Sequence, residues 1–328
     1  MMAGVISDPG TRPLKAEDVH PVQGLQSCNH LLDDHAALMR FHDEEGYIFL
    51  RDVLSHEALD QARREMFAIM EGFGLIEPGA TEPVWTGKPF PGGMEESPIY
   101  SGISRRLVEH PDNLAVMEKI LGEPAMMVPI VQYRNYPPGG SITGPHQDGF
   151  FAQGVQSYKP AWMPITRCER EVGGLAIAVR QCNRGYLHDA AATPPLIPDD
   201  VIPADAWATD DYFPGDVLVL NPFTPHCSLP NTSDRCRVTI DTRVQSAADP
   251  RVLVGNVVEA RSDAIVLQMP DGEQRSFPVD QDTFIRIESP GVRESIDNYV
   301  EKTRVGAKVL VIIDENSRAQ TLRRAAEG

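Results

Sequence analysis

The feature that most constrains this chain is a change of texture at Gly122. Before it, apolar residues recur at helical spacing: Leu59, Ala62, Met66 and Ile69 form one stripe, with Ser55 placed to cap it, Glu57 in its first turn and Gly72 at its end. A helix from His35 is closed by Gly46 and followed by a short strand at 47–50, and another helix runs from about Asn113 to Leu121 between Pro111 and Gly122. After Gly122 the pattern becomes short β runs at 126–136, 161–167, 174–179, 216–220 and 237–244, separated by Gly- and Pro-bearing turns. Helices followed by many short strands predict an α+β chain, mainly β, with a barrel or sandwich behind a helical layer.

Three segments fall outside that plan. Residues 1–30 mix Pro, Gly, Asp and His without a period and read as an N-terminal arm wrapped over the domain. Residues 77–100 are rich in Pro and Gly, carry Trp85 and Phe90, and are long enough to be a functional lid. At Ala247-Ala248-Asp249-Pro250 the composition shifts again, and short β runs follow at 252–260, 264–269, 276–279, 283–287 and 308–313, enough for a small β-barrel. The expected domains are therefore an arm (1–30), a main domain (31–248) and a C-terminal module (251–328).

With 41% hydrophobic and 23% charged residues over 328 positions, the composition is that of an ordinary globular protein. Forty-seven acidic against 30 basic residues give a net charge of −17, which repels phosphate backbones and anionic membranes and excludes nucleic acid as a partner. The five cysteines are odd in number and show no CxxC spacing. Reduced thiols, no leader-like N-terminus and no long apolar run predict a cytoplasmic protein with no membrane contact.

The chemistry concentrates in Gly144-Pro145-His146-Gln147-Asp148-Gly149. On an extended strand, His146 and Asp148 at i and i+2 project to one face and can reach one metal ion. A distal imidazole, His226, follows the apolar strand at 216–220. Two His and one carboxylate make the facial triad of non-haem Fe(II), with open positions for a cosubstrate and O₂. Such a centre needs a chelating two-electron donor; 2-oxoglutarate serves, and its distant carboxylate requires a fixed cation. Arg237, eleven residues after His226, opens a strand on which Arg237, Thr239, Asp241 and Arg243 share the polar face. Alone, an HxD triplet is a weak signal, because His and Asp are common in turns. The combination of the triplet, a distal His after a strand and the following Arg is much stronger.

At these residues the sequence resembles the phytanoyl-CoA dioxygenase-like family of Fe(II)/2-oxoglutarate oxygenases, over roughly 41–245. The resemblance is carried by 132–139 leading to the His146 motif, Ala161-Trp162-Met163-Pro164-Ile165, Gly173-Gly174-Leu175, Gly215-Asp216-Val217, and His226-Cys227-Ser228-Leu229-Pro230-Asn231 with Arg237. It implies a double-stranded β-helix, a jelly-roll or cupin-like core with helices packed outside. It also implies that His146, Asp148 and His226 ligate iron and that Arg237 and Ser228 hold the far carboxylate of 2-oxoglutarate. Trp162 and Asn135 would line the cosubstrate pocket. Where the family commonly has Pro-Gly-Ser-His, this chain has 179–185, with Arg180 and Arg184 as candidate contacts to an anionic substrate group. The pair His188-Asp189 is discounted as a metal site, because adjacent side chains on a strand point apart.

The expected activity is a dioxygenase that hydroxylates or otherwise oxidises a small organic metabolite with release of succinate and CO₂. Trp85, Phe150, Phe151 and Arg180 are its candidate substrate contacts. Asp148 disfavours halogenation, which in related enzymes has a small residue at that position. The alternative is a catalytically silent barrel acting as a binding or sensory protein. The C-terminal module resembles OB-like β units through Gly255–Val257, Asp271-Gly272 and Gly306–Val309. It carries no aromatic-basic stripe, so packing or homo-oligomerisation is its default role, with a lid over the active site as the sharper one.

Overall fold

A computed structural model of the chain describes residues 11–91, 98–151, 158–189, 196–287 and 294–325. The helical half begins with α1 (His35–Glu45), where the Asp34 side chain accepts from the Ala37 N–H at 3.0 Å and Gly46 ends the helix at φ 90°. Strand β1 (Tyr47–Leu50) follows at once, then α2 (His56–Gly72), capped by Ser55 and burying Leu59, Ala62 and Met66 as the stripe predicts. An unanticipated helix, α3 (Pro98–Val108), begins inside the segment read as a loop; residues 92–97 of that segment lie outside the described residues. Helix α4 (Pro111–Leu121) has Pro at its start and a left-handed Gly122 as its cap.

The following strands are β2 (Ala125–Tyr136), β3 (Tyr158–Pro164), β4 (Leu175–Ala178), β5 (Trp207–Ala208), β6 (Val217–Leu220), β7 (His226–Ser228) and β8 (Arg237–Ser246), with a single helical turn, α5 (Asp148–Phe151), between β2 and β3. They form an antiparallel five-stranded sheet, β1-β6-β3-β8-β2, and a three-stranded sheet, β5-β4-β7. The sequence of β6 explains the layering. Val217 and Val219 pack with Met66 and Ile120 on the helical side, whereas Leu218 and Leu220 pack with Leu175 and Ile177 of the smaller sheet. A strand covered on both faces must be apolar at every position, which is why it reads Val-Leu-Val-Leu.

Where it is described, the N-terminal segment bonds to distant loops: Leu14 N–H donates to the Ile197 carbonyl at 2.8 Å and Val22 N–H to that of Trp207 at 3.1 Å. All five cysteines are free and buried. Among the described residues no helix is long and apolar enough to cross a membrane.

The C-terminal region comprises β9 (Val252–Ala260), β10 (Ala264–Gln268), β11 (Gln274–Pro278), β12 (Phe284–Arg286), α6 (Ile296–Lys302), β13 (Lys308–Ile313) and β14 (Ala319–Arg324). Its order is β11-β10-β9-β13-β14-β12, and no ladder among the described residues joins β11 to β12. The expected small barrel is therefore an open six-stranded sheet here, because the unforeseen β14 sits between β13 and β12 and carries the sheet onward. One face buries Val257, Leu267, Val309, Val311 and Leu322 together; the other buries Val254, Leu310 and Ile312 against Val128 of β2 and Tyr158 of β3.

A candidate metal centre and its two adjoining cavities

His146 and His226 face each other across an isolated antiparallel bridge, each donating its backbone N–H to the other's carbonyl at 3.0 and 2.9 Å. Their ring centroids lie 4.3 Å apart. Asp148 is the first residue of α5, so the strand-borne HxD geometry is replaced by a strand end followed by a turn. The turn is fixed by the buried Gln147, whose amide donates to the Gly185 and Phe223 carbonyls at 2.8 and 2.6 Å and accepts from Leu187 N–H at 2.7 Å. The result is a set in which one ligand atom from each of His146, Asp148 and His226 lies within 4.8 Å of the others.

The protonation pattern suits a cation. A carbonyl can only accept, so His146 Nδ1 donates to Gly144 O (2.9 Å) and His226 Nδ1 to Thr224 O (3.0 Å). Each Nε2 is then left with its lone pair. Burial, followed by the proximity of His146, pushes His226 down to about 4. Burial alone would raise the Asp148 carboxyl, but the Arg243 guanidinium beside it outweighs burial and holds the group well below the usual carboxylate range. Arg243 Nη2 donates to Asp148 Oδ2 at 2.9 Å, while Oδ1 lies 3.6 Å from His146 Nε2.

Beside this set is a narrow cavity lined by Thr143, Trp162, Leu175, Ser228 and Arg237. Arg237 is 1% exposed; Nη2 donates to Ser228 Oγ at 2.9 Å, Nη1 reaches the Gly173 and Gly174 carbonyls, and the guanidinium lies 4.3 Å from the Tyr136 ring centre. Gly173 is at φ +77°, and a Cβ there would meet Leu229 O at 2.4 Å, so only glycine allows this close approach of the chain. Trp162 Nε1 and both amide atoms of Asn135 are buried without hydrogen-bond partners among the described residues. Buried polar groups are normally satisfied, so these orphans fit a polar guest. The two imidazoles, the carboxylate, the deep guanidinium and the orphaned donors together fit Fe(II) and a dicarboxylate cosubstrate.

A second cavity of about 320 Å³ opens on His146 and Asp148 and is walled by Phe151, Tyr158, His188 and Arg243, with Arg286 and Arg323 from the C-terminal sheet. Of the substrate candidates read from sequence, Phe151 lines it, and Phe150 stands behind, stacked on His188 at 4.0 Å between ring centres. Trp85 does not reach it: its indole N–H donates to Lys88 O at 2.8 Å and its ring packs against the helical core. Arg180 is also elsewhere, 72% exposed and paired with Glu45 at 2.7 Å, while Arg184 donates to Val201 O. Both are drawn to local acceptors on the surface. His188 is outside the metal set, yet it lines the cavity with neither ring nitrogen partnered among the described residues. Burial, then His146 and His226, pushes it down to about 3 and keeps it neutral. Its adjacency to Asp189 had argued against a ligand role, and no spacing signal pointed to a wall role.

A model of the phytanoyl-CoA dioxygenase (PhyH) family matches residues 42–239. The chain belongs to the phytanoyl-CoA dioxygenase family. Its curated relatives include the 1-deoxypentalenic acid 11-beta-hydroxylases of Streptomyces exfoliatus, 32% identical over 252 residues, and of Streptomyces arenae, 31% identical over 251. Each match covers 68% of this chain and 86% of the relative. Solved structures of related shape include the epimerase SnoN with Fe3+, alpha ketoglutarate and nogalamycin RO (TM-score 0.49, 18% identical, 65% of this chain and 85% of that one). Another is the non-heme monooxygenase ThoJ (TM-score 0.48, 20% identical, 64% and 77%). Like its relatives in the phytanoyl-CoA dioxygenase family, the protein is an Fe(II)- and 2-oxoglutarate-dependent oxidoreductase; its C-terminal sheet lies outside the matched residues.

Proposed function

We propose that His146, Asp148 and His226 hold Fe(II), that Arg237 and Ser228 hold the distal carboxylate of 2-oxoglutarate with Trp162 on the same cavity wall and Asn135 beside Tyr136, the register partner of Arg237, and that the 320 Å³ cavity takes a small organic molecule with apolar surface for hydroxylation. The observation that carries this reading is the convergence of three ligand atoms, both imidazoles fixed through Nδ1, next to a fully buried guanidinium. Reaction of O₂ with 2-oxoglutarate at Fe(II) supplies the oxidising equivalent and leaves succinate and CO₂. The chain's own contribution is positional. Arg237 offers a planar fork to a carboxylate, Arg243 keeps Asp148 ionised and oriented, and the apolar walls keep water from the reacting carbon.

The curated relatives are named for hydroxylation of 1-deoxypentalenic acid, and a compact organic molecule is the substrate class we assign here. The five- and three-stranded sheets correspond to the two faces of a double-stranded β-helix in residues 31–248, with 1–30 as an arm and 251–328 as an accessory sheet. Five buried free thiols suit a reducing compartment, and the cytoplasm is the location we assign. The inner face of the C-terminal sheet covers β2 and β3, which favours a wall over the active site rather than a dimer contact. Succinate formation from 2-oxoglutarate with Fe(II), screened against small organic molecules and followed by mass analysis of the product, tests the whole reading. A silent binding protein would give no succinate with any candidate, and His146→Ala should give none.

A further inference from the structure

The larger cavity takes part of its wall from the C-terminal sheet. Arg286 on β12 and Arg323 on β14 are register partners in the parallel ladder between these strands, so both side chains leave the same face at neighbouring positions, about 5 Å apart along the sheet. The row continues through Leu310 to Val254, both buried against Val128 and Tyr158. This face is therefore the one turned toward the oxygenase strands, and both arginines line the cavity.

Their partners are unusual for this chain. Arg51 is matched by Asp210 and Asp216, Arg235 by Glu169, Arg243 by Asp148 and Asp241, and Arg318 by Asp280 and Asp314. Arg286 donates one bond to the Phe151 carbonyl at 2.9 Å and lies over the Phe151 ring, but among the described residues it has no carboxylate partner and its Nε is orphaned. Arg323 has no hydrogen-bond or ion-pair partner among the described residues. Burial lowers both guanidiniums from their usual value; Arg323, further repelled by Arg243 and Arg286, is pushed down to about 10. Like charges set side by side on a sheet and half-buried, as these are, are unfavourable without a close counter-charge. The one carboxylate lining this cavity among the described residues, Asp148, is already engaged by Arg243. Tyr158 lines the same cavity, its hydroxyl also without a hydrogen-bond partner among the described residues.

We propose that Arg286 and Arg323 form an anion clamp for the substrate, and that the substrate carries a carboxylate on a compact, otherwise apolar body. The proposal rests on reading this cavity as the oxygenase's substrate site. Leu14, Pro145, Phe151 and Leu196 supply the apolar walls. A volume of about 320 Å³ is at the small end of ligand pockets and suits a compact body, and the net charge of −17 opposes polyanions.

The test uses the full chain, loaded anaerobically with Fe(II) and 2-oxoglutarate, titrated calorimetrically with adamantane-1-carboxylate, its neutral carboxamide and 1-adamantyl phosphate. Wild type should bind the carboxylate at least about tenfold more tightly than the carboxamide, as expected for charge-assisted hydrogen bonds, and no less tightly than the phosphate. The double substitution Arg286→Gln/Arg323→Gln should abolish the preference, and Arg323→Lys should keep part of it. Equal affinity for acid and amide, no binding of the acid, a preference surviving the double substitution, or a phosphate bound tenfold more tightly would each overturn the proposal. Ligand-free Arg323→Gln should melt at or above the wild-type temperature, since it removes an unpaired cation; a fall beyond about 5 °C would make Arg323 a structural residue and also overturn it. The metal-to-ligand absorption of the loaded wild type reads the oxygenase assignment separately. Acid preference without that absorption would sink the cosubstrate reading and leave the clamp, and the converse result would do the opposite.

Discussion

Asp148 is held through one oxygen by Arg243 while the other faces His146 Nε2, so the candidate metal set depends on a cation that is not itself a ligand. Arg243→Met should weaken Fe(II) binding by about 10–100-fold, because it leaves a buried carboxylate oxygen unpaired and free to turn. An unchanged Fe(II) titration would refute that dependence. At the other end of the narrow cavity, Arg237→Lys keeps the charge but loses the fork. Its affinity for 2-oxoglutarate, read from the anaerobic metal-to-ligand absorption, should fall about tenfold, and Arg237→Ala should lose more. Identical affinities in both variants would pass the role to another cation. His42, fully buried on α1, is pushed down from 6.5 to about 4, chiefly by burial and then by Lys159. Below pH 6.5 the unfolded chain therefore takes up a proton that the folded protein refuses until about pH 4. Stability is lost across that window as pH falls, by up to ~3 kcal/mol at its lower end. His42→Leu should flatten the decline of the metal-free melting temperature between pH 7 and 4.5; parallel declines would show that the imidazole titrates normally.

Elements with a clear period were legible, and those whose period is masked by function were not. Helices α1, α2 and α4 follow from their caps and apolar stripes, and β9 and β13 run over the residues expected of them. Helix α3 was missed because it starts in a stretch rich in Pro and Gly, which is turn chemistry when read locally. Strand β14, Ala-Gln-Thr-Leu-Arg-Arg, shows no alternation of apolar residues, since one of its faces carries Arg323 into a cavity. The α5 turn was equally hidden: only the bonds from Gln147 to distant carbonyls reveal that Asp148 reaches the metal set by a bend. Connections of this kind also bear on function. Gly173→Ala would force its Cβ onto the Leu229 and Pro230 carbonyls and shift the carbonyl that holds Arg237. Expected are a loss of roughly 2 kcal/mol in stability and a several-fold weaker response to 2-oxoglutarate. Normal 2-oxoglutarate affinity with lowered stability would separate the turn from the clamp.

Across the whole molecule, the C-terminal sheet is joined to the oxygenase strands through Val254, Leu310 and Ile312 against Val128 and Tyr158, and through Gln245, which exchanges two bonds with the Val252 backbone at 2.8 and 2.9 Å. A chain ending at Ala248 should melt several degrees lower than the full chain, since each exposed large side chain costs ~1.5–3 kcal/mol. It should also lose its preference for the carboxylate probe. An unchanged melting temperature would make residues 251–328 an independent appendage. The sequence by itself determined the class of fold and singled out His146, Asp148, His226 and Arg237 as candidates, because ligand chemistry and apolar periodicity are written in residue type and local spacing. Only the tertiary structure decided that Trp85 and Arg180 stand away from the cavity and that His188, Arg286 and Arg323 line it. A pocket wall is assembled from residues far apart in the chain, and no local spacing records which distant side chains lose their water together.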